Sequence, residues 1–151
     1  MTKFIQYTYS NGAMDMGNLD LDYIPEEIFD FTINELDLMY NKLSTIPKDI
    51  IKLTDLTSLH LSMNFFKEMP EILFELSNLR YLSMDSNYIT VIPSSINKLS
   101  KLQILILYAN EITCIPKEME TLPELSILDI SYNPLKEPIP KYFFKLFSFR
   151  Y

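Results

Sequence analysis

Five asparagines recur at an unbroken spacing of 23 residues: Asn41, Asn64, Asn87, Asn110 and Asn133. Apolar residues keep the same beat around them. Leu36, Leu59, Leu82, Leu105 and Leu128 lie five positions before the asparagine; Leu38, Leu61, Met84, Leu107 and Ile130 lie three before. Leu43, Phe66, Ile89, Ile112 and Leu135 lie two after. Each unit then runs into Pro47, Pro70, Pro93 or Pro116 and closes on Leu53, Leu76, Leu99 or Leu122. A fixed period of this length means that one supersecondary unit is stacked on copies of itself.

Leu36 and Leu38 alternate with Glu35, Asp37 and Met39, the period of a strand with one buried face. Asn41 falls where the chain must leave that strand. A primary amide both donates and accepts, so a stacked column of such amides can satisfy turn groups that would otherwise be buried unpaired. Pro47 presets φ and suits the first position of a short helical turn. From there Ile50 and Leu53, three apart, point inward. No unit can bury these side chains alone, whereas a stack buries them between neighbours, at roughly 1.5–3 kcal/mol for each side chain.

The unit resembles that of the leucine-rich-repeat family, L-x-x-L-x-L-x-x-N-x-L. Its second half, L-x-x-L-P-x-x-I-x-x-L, is similar to the subtype common in bacterial and Ras-associated intracellular members. The resemblance covers about residues 14–147. It implies an α/β solenoid with a curved parallel sheet on the concave side and short helical turns on the convex side. For function it implies a protein-binding scaffold that is not an enzyme and needs no cofactor.

The expected layout is one domain over residues 1–151: a cap hairpin and first strand at 1–17, a short first repeat at 18–32, five repeats over 33–147, and an aromatic end at 148–151. Asn11-Gly12 is a strong signal for a two-residue type I′ turn. That turn pairs Ser10 with Ala13, Tyr9 with Met14 and Tyr7 with Met16, placing Tyr7 and Tyr9 on the core side. Residues 3–17 then cap the first edge strand. At the other end Lys136-Glu137-Pro138-Ile139-Pro140 inserts one residue, after which Leu146 takes the closing position and Phe149 the first leucine position of a further unit. Six of the last ten residues are aromatic: Tyr142, Phe143, Phe144, Phe147, Phe149 and Tyr151. They either fold over the last repeat or remain exposed for self-association, for example as a homodimer.

Outward strand positions fall into columns. Near the N-terminus Asp15, Glu35 and Asp37 make the sheet face acidic. Toward the C-terminus Tyr81, Ile104, Ile106, Tyr108, Ile127 and Tyr132 form an aromatic and aliphatic patch that repeat packing does not require. Exposed apolar groups with aromatic members are typical of binding hot spots, so these six, with Asp37 and His60, are the candidate partner-binding residues. The alternatives are that strand propensity and drift filled tolerant positions, or that the aromatic tail folds onto them.

His60, the one histidine, lies between Asp37 and Ser83 in its column, an order that mimics a hydrolase triad. The open sheet offers no strained nucleophile turn and no oxyanion donors, so a surface histidine paired with Asp37 is expected instead. One histidine, one cysteine and scattered acids lack metal-ligand spacing. Cys114 reads as a free thiol on a loop edge, and Gly12 and Gly17, the two glycines, make no phosphate-binding loop.

Net charge is −7, and the excess is local: residues 1–40 hold eight acids and one base, while the rest balances. Nucleic acid and anionic lipid both require basic surface, and neither is an expected partner. No apolar run approaches the length of a membrane span, and residues 1–16 lack the apolar stretch of a secretory signal. With one cysteine and no glycosylation sequon, a cytoplasmic protein is the expectation, and a secreted effector delivered without a cleavable signal is the alternative. Eleven lysines against two arginines suit an AT-rich genome of bacterial type.

Overall fold

The computed structural model describes residues 7–136, 138–146 and 148–151. Eight three-residue strands form one sheet in chain order. They are β1 (Thr8–Ser10), β2 (Ala13–Asp15), β3 (Glu35–Asp37), β4 (Ser58–His60), β5 (Tyr81–Ser83), β6 (Ile104–Ile106), β7 (Ile127–Asp129) and β8 (Ser148–Arg150). β1 pairs antiparallel with β2, and every later neighbour is parallel. The register is that of the sequence repeat: Leu36 opposite Leu59, then Leu82, Leu105 and Leu128. Phe149 continues the row opposite Leu128, as the inserted residue before Pro140 requires.

Each parallel connection from β2 to β8 passes through a single 3₁₀ turn, at Glu26–Asp30, Lys48–Lys52, Glu71–Glu75, Ser94–Lys98, Lys117–Thr121 and Lys141–Lys145. Proline sits one residue earlier than the sequence suggested. Pro47 is extended (φ −70°, ψ 153°) and flanks the turn, and its carbonyl accepts from Ile50 N at 3.2 Å. The ring fixes φ while the carbonyl closes the turn, so the missing N–H is no loss. Ile50, Leu73, Ile96, Met119 and Phe143 point from these turns into the interior and are fully buried.

The strand-to-turn corner is the device that repeats most strictly. The residue before each ladder asparagine is left-handed: Tyr40, Met63, Ser86, Ala109 and Tyr132 have φ between 52° and 56°. That reversal turns the asparagine inward. Asn87 Oδ1 accepts from Phe66 N at 3.0 Å in the preceding repeat, and its Nδ2 donates to Leu61 O (3.1 Å) and Met84 O (3.0 Å). Asn41, Asn64, Asn110 and Asn133 repeat the arrangement with their own neighbours. Each amide thus bonds its own repeat to the one before, in the buried ladder expected of the sequence.

The N-terminal hairpin has the expected turn, with Asn11 at φ 53° and Gly12 at φ 80°. Its ladder covers Ser10 with Ala13 and Tyr9 with Met14 but ends at Thr8 with Asp15, short of Tyr7 and Met16. Tyr7 and Tyr9 both meet Phe31, with ring centroids 6.0 and 5.1 Å away, and Tyr9 donates its hydroxyl to Thr32 O at 2.8 Å. Tyr9 nevertheless stays exposed, because the hairpin is the outermost described layer on that side. Residues 3–6 of the expected cap and Phe147 lie outside the described residues. The aromatic end divides: Phe143 is fully buried, while Phe144 and Tyr151 are exposed and meet edge to face at 6.2 Å. No helix among the described residues is long and apolar enough to cross a membrane.

Candidate binding face

The strand register sets the outward side chains in rows across the sheet. One row runs Ala13, Glu35, Ser58, Tyr81, Ile104, Ile127, Ser148. The second runs Asp15, Asp37, His60, Ser83, Ile106, Asp129, Arg150. Parallel strands stand about 4.8 Å apart, so neighbours in a row are in van der Waals reach.

The six apolar candidates do form one surface on β5 to β7 and the corners that follow β6 and β7. Ile104 lies beside Tyr81 and Ile127, and Ile106 beside Ser83. Tyr108 and Tyr132 meet edge to face at 5.1 Å. Tyr132 is 79% exposed and Tyr108 37%, whereas Tyr81, Ile104, Ile106 and Ile127 are half-buried. The tyrosines therefore stand out from a flatter aliphatic floor.

His60 differs from expectation. Its Nε2 lies 2.9 Å from Ser58 Oγ and 3.5 Å from Glu35 Oε1, and its ring packs on Tyr81 at 4.7 Å. Its acidic neighbour is thus Glu35 in the adjacent row and not Asp37. Asp37 is engaged locally, with Oδ1 accepting from Met39 N at 2.8 Å, and Asp15 does the same for Gly17 N at 2.9 Å. Ser83 Oγ has no hydrogen-bond partner. The order Asp37, His60, Ser83 is therefore a row of neighbours without the bonds of a triad. Two serines expected at outward positions are also hidden: Ser62 is fully buried and bonded to Asp85, and Ser83 is 2% exposed. Ser83 lies between the larger His60 and Ile106 in its own row.

Asp129 has Arg150 at 3.9 Å, but among the described residues no lysine or arginine pairs with Asp15, Glu35 or Asp37. A hollow of about 240 Å³ opens there, lined by Thr8, Ser10, Ala13, Asp15, Glu35 and Asp37 among others. The paired lysines lie elsewhere. Lys42, Lys52 and Lys98 are held above their usual pKa by hydrogen bonds to Asp20, Asp49 and Glu75 respectively. Among the described residues no three His, Cys, Asp or Glu side chains converge to hold a metal ion. Cys114 is a half-buried free thiol.

Tyr40 and Met63, in the outward column at the strand exit, are exposed together with Phe65 and Tyr88, which stand in no outward column of the sequence and stack at 6.2 Å. Their signal lay in the slot after each ladder asparagine, where Phe65 and Tyr88 stand in place of Lys42 and Glu111.

The family profile described as "Leucine rich repeat" matches residues 31–89, 54–107 and 77–135. The chain belongs to the leucine-rich-repeat family. Among solved structures it is similar to an internalin from Listeria monocytogenes, with a TM-score of 0.73 and 25% identity over 85% of this chain and 38% of that one. A leucine-rich-repeat protein of Leptospira interrogans gives a TM-score of 0.66 and 32% identity over 87% and 40%. A plant peptide hormone receptor, RGFR1 in complex with RGF2, gives 0.63 and 35% over 74% and 19%. This leucine-rich-repeat chain thus spans well under half the length of each. A search of the curated proteins returns no match.

Proposed function

We propose that this leucine-rich-repeat chain is a non-catalytic scaffold that recognises a protein or peptide through its concave sheet face. The observation that carries the reading is the continuous surface of Tyr81, Ile104, Ile106, Tyr108, Ile127 and Tyr132 across adjacent strands. The interior core is complete without these side chains, since Leu82, Leu105 and Leu128 already fill the opposite face. Aromatic groups standing on an aliphatic floor supply apolar contact at low entropic cost, as interface anchors do. The plant receptor's complex with RGF2 supports a polypeptide ligand for this architecture. The strand-exit rim of Tyr40, Met63, Phe65 and Tyr88 borders the same face and extends it.

The test is crosslinking capture in the native cell with three forms: wild type, Ile106→Ser/Tyr108→Ser, and Ile51→Ser, which alters an exposed convex residue. Binding through the concave face predicts a captured protein lost in the first variant and kept in the second. Equal capture by all three, with folding intact by circular dichroism, refutes the assignment.

A further inference from the structure

The binding-scaffold reading leaves the ligand's chemistry open, and the concave face narrows it. This inference rests on that reading. We propose that the second row of the sheet takes an extended peptide segment with a basic side chain near one end and a large apolar side chain about four residues away. The base sits over Asp15 and Asp37, and the apolar group over Ile106 and Tyr108.

Three independent observations converge on it. First, the carboxylates of Asp15, Glu35 and Asp37 have no basic partner among the described residues apart from His60 near Glu35, and they line one hollow. In Asp15 and Asp37 one carboxylate oxygen caps the following corner, which leaves the second oxygen for a ligand. Unpaired carboxylates beside low-dielectric walls attract cations over several ångströms. Second, the apolar end of the row is three strands further on: Asp37 is on β3 and Ile106 on β6. Three spacings are roughly 14 Å, which an extended chain at about 3.3 Å per residue crosses in about four residues. Third, Ser83 on β5 lies between these ends, is 2% exposed, and carries a hydroxyl with no partner. A buried hydroxyl without a hydrogen bond is destabilising unless something completes it. A peptide backbone crossing the row offers an N–H or C=O at this place once the neighbouring His60 side chain turns aside.

The experiment selects a displayed random-peptide library on the immobilised full chain. Enriched peptides, synthesised with a fluorophore, are titrated by anisotropy against wild type, Asp15→Asn/Asp37→Asn, Ile106→Ser and Ser83→Ala. The amide variants keep the oxygen that caps each corner, and melting curves check their fold. The expected pool carries Lys or Arg about four positions from Phe, Tyr or Leu. Its affinity falls about tenfold in the double amide variant and again in Ile106→Ser, and Ser83→Ala weakens it less. Raising sodium chloride from about 50 to about 300 mM weakens wild-type binding but not the residual binding of the double amide variant. Failure to enrich any peptide, a pool without basic residues, or binding indifferent to loss of both charges overturns the proposal. Sensitivity to Ile106→Ser without sensitivity to charge ends this inference and leaves the concave-face reading standing; indifference to both ends both.

Discussion

Removing one rung of the asparagine ladder tests the fold at its most specific point. In Asn87→Ala the Phe66 N–H loses the partner it has at 3.0 Å and is left in a buried layer. An orphaned buried donor is destabilising by about 1–3 kcal/mol. The three carbonyls that Asn87 also serves are not orphaned: Leu61 O keeps Asn64 Nδ2 at 3.1 Å, Met84 O keeps Asn110 Nδ2 at 3.0 Å, and Asp85 O keeps Met63 N at 2.9 Å. The amide has two N–H groups to give, so two bonds' worth is lost, about 0.5–1 kcal/mol apiece. Together these give about 2–5 kcal/mol, a large part of the roughly 5–15 kcal/mol that holds a domain folded. At this size each kcal/mol moves the melting temperature about 2–4 °C, so a fall of roughly 5–20 °C is expected by calorimetry.

The neighbouring rungs fix the ranking. Asn41 serves both Leu19 N and Leu21 N and is the one partner of Met16 O among the described residues, so Asn41→Ala strands three groups and is the most damaging. Asn133 is half-buried, and water replaces part of what it supplies, so Asn133→Ala is the mildest. Asn87→Asp separates the two halves of the amide: its carboxylate still accepts from Phe66 N but faces the oxygens of Leu61 and Met84. That environment raises its pKa in the fold, so the variant is most stable in acid and weakens as pH rises through that value. A loss under about 1 kcal/mol for Asn87→Ala, or Asn133→Ala costing more than Asn41→Ala, would refute the ladder as the repeat's main polar fastening.

Ser83→Ala removes an unpartnered buried hydroxyl and should raise stability by up to about 1 kcal/mol, while Ser62→Ala breaks a bond to Asp85 and should lower it by about 1–3 kcal/mol, both read by urea unfolding. Ala109→Gly relieves a left-handed φ of 52° but loosens the unfolded chain, a net effect within about 1 kcal/mol of zero, whereas Ala109→Val at the same corner should lower the melting temperature clearly. Lys98 has its pKa raised above 10.5 by the Glu75 hydrogen bond, so its small contribution is present at neutral pH and fades as pH climbs through the raised value. Melts of wild type and Lys98→Gln should therefore converge in strong alkali and also at high salt, because the pair is exposed.

The repeat was legible because three physical demands share its period: burial of Leu82 and its counterparts, satisfaction of Phe66 N and its counterparts, and closure of each 3₁₀ turn by a proline carbonyl. A spacing in sequence therefore maps directly onto strand register, including the displaced Phe149. The binding face was legible only as a lattice. Register named the neighbours of His60 correctly, yet side-chain length decided that it reaches diagonally to Glu35 at 3.5 Å and leaves Asp37 to cap Met39. The burial of Ser62 and Ser83 was illegible for the same reason, since the exposure of a small residue depends on the size of its neighbours. Phe65 and Tyr88 were overlooked because their slot serves neither the core nor the ladder.

That division of labour follows from the architecture. Stability resides in inward rows and the ladder, where each asparagine bonds its own repeat to the one before, so the outward rows carry few structural demands beyond an extended backbone and the corner caps of Asp15, Asp37 and Asp129. Along such a face composition can change strand by strand, from Asp37 on β3 through His60 and Ser83 to Ile106 on β6, without disturbing the stack beneath. A gradient from acidic to apolar over three strands is then a property the fold permits and does not impose. Under the proposed peptide reading, a ligand that is itself graded, basic at one end and apolar at the other, matches both ends of that row, and a uniformly charged or uniformly apolar ligand matches only one of them.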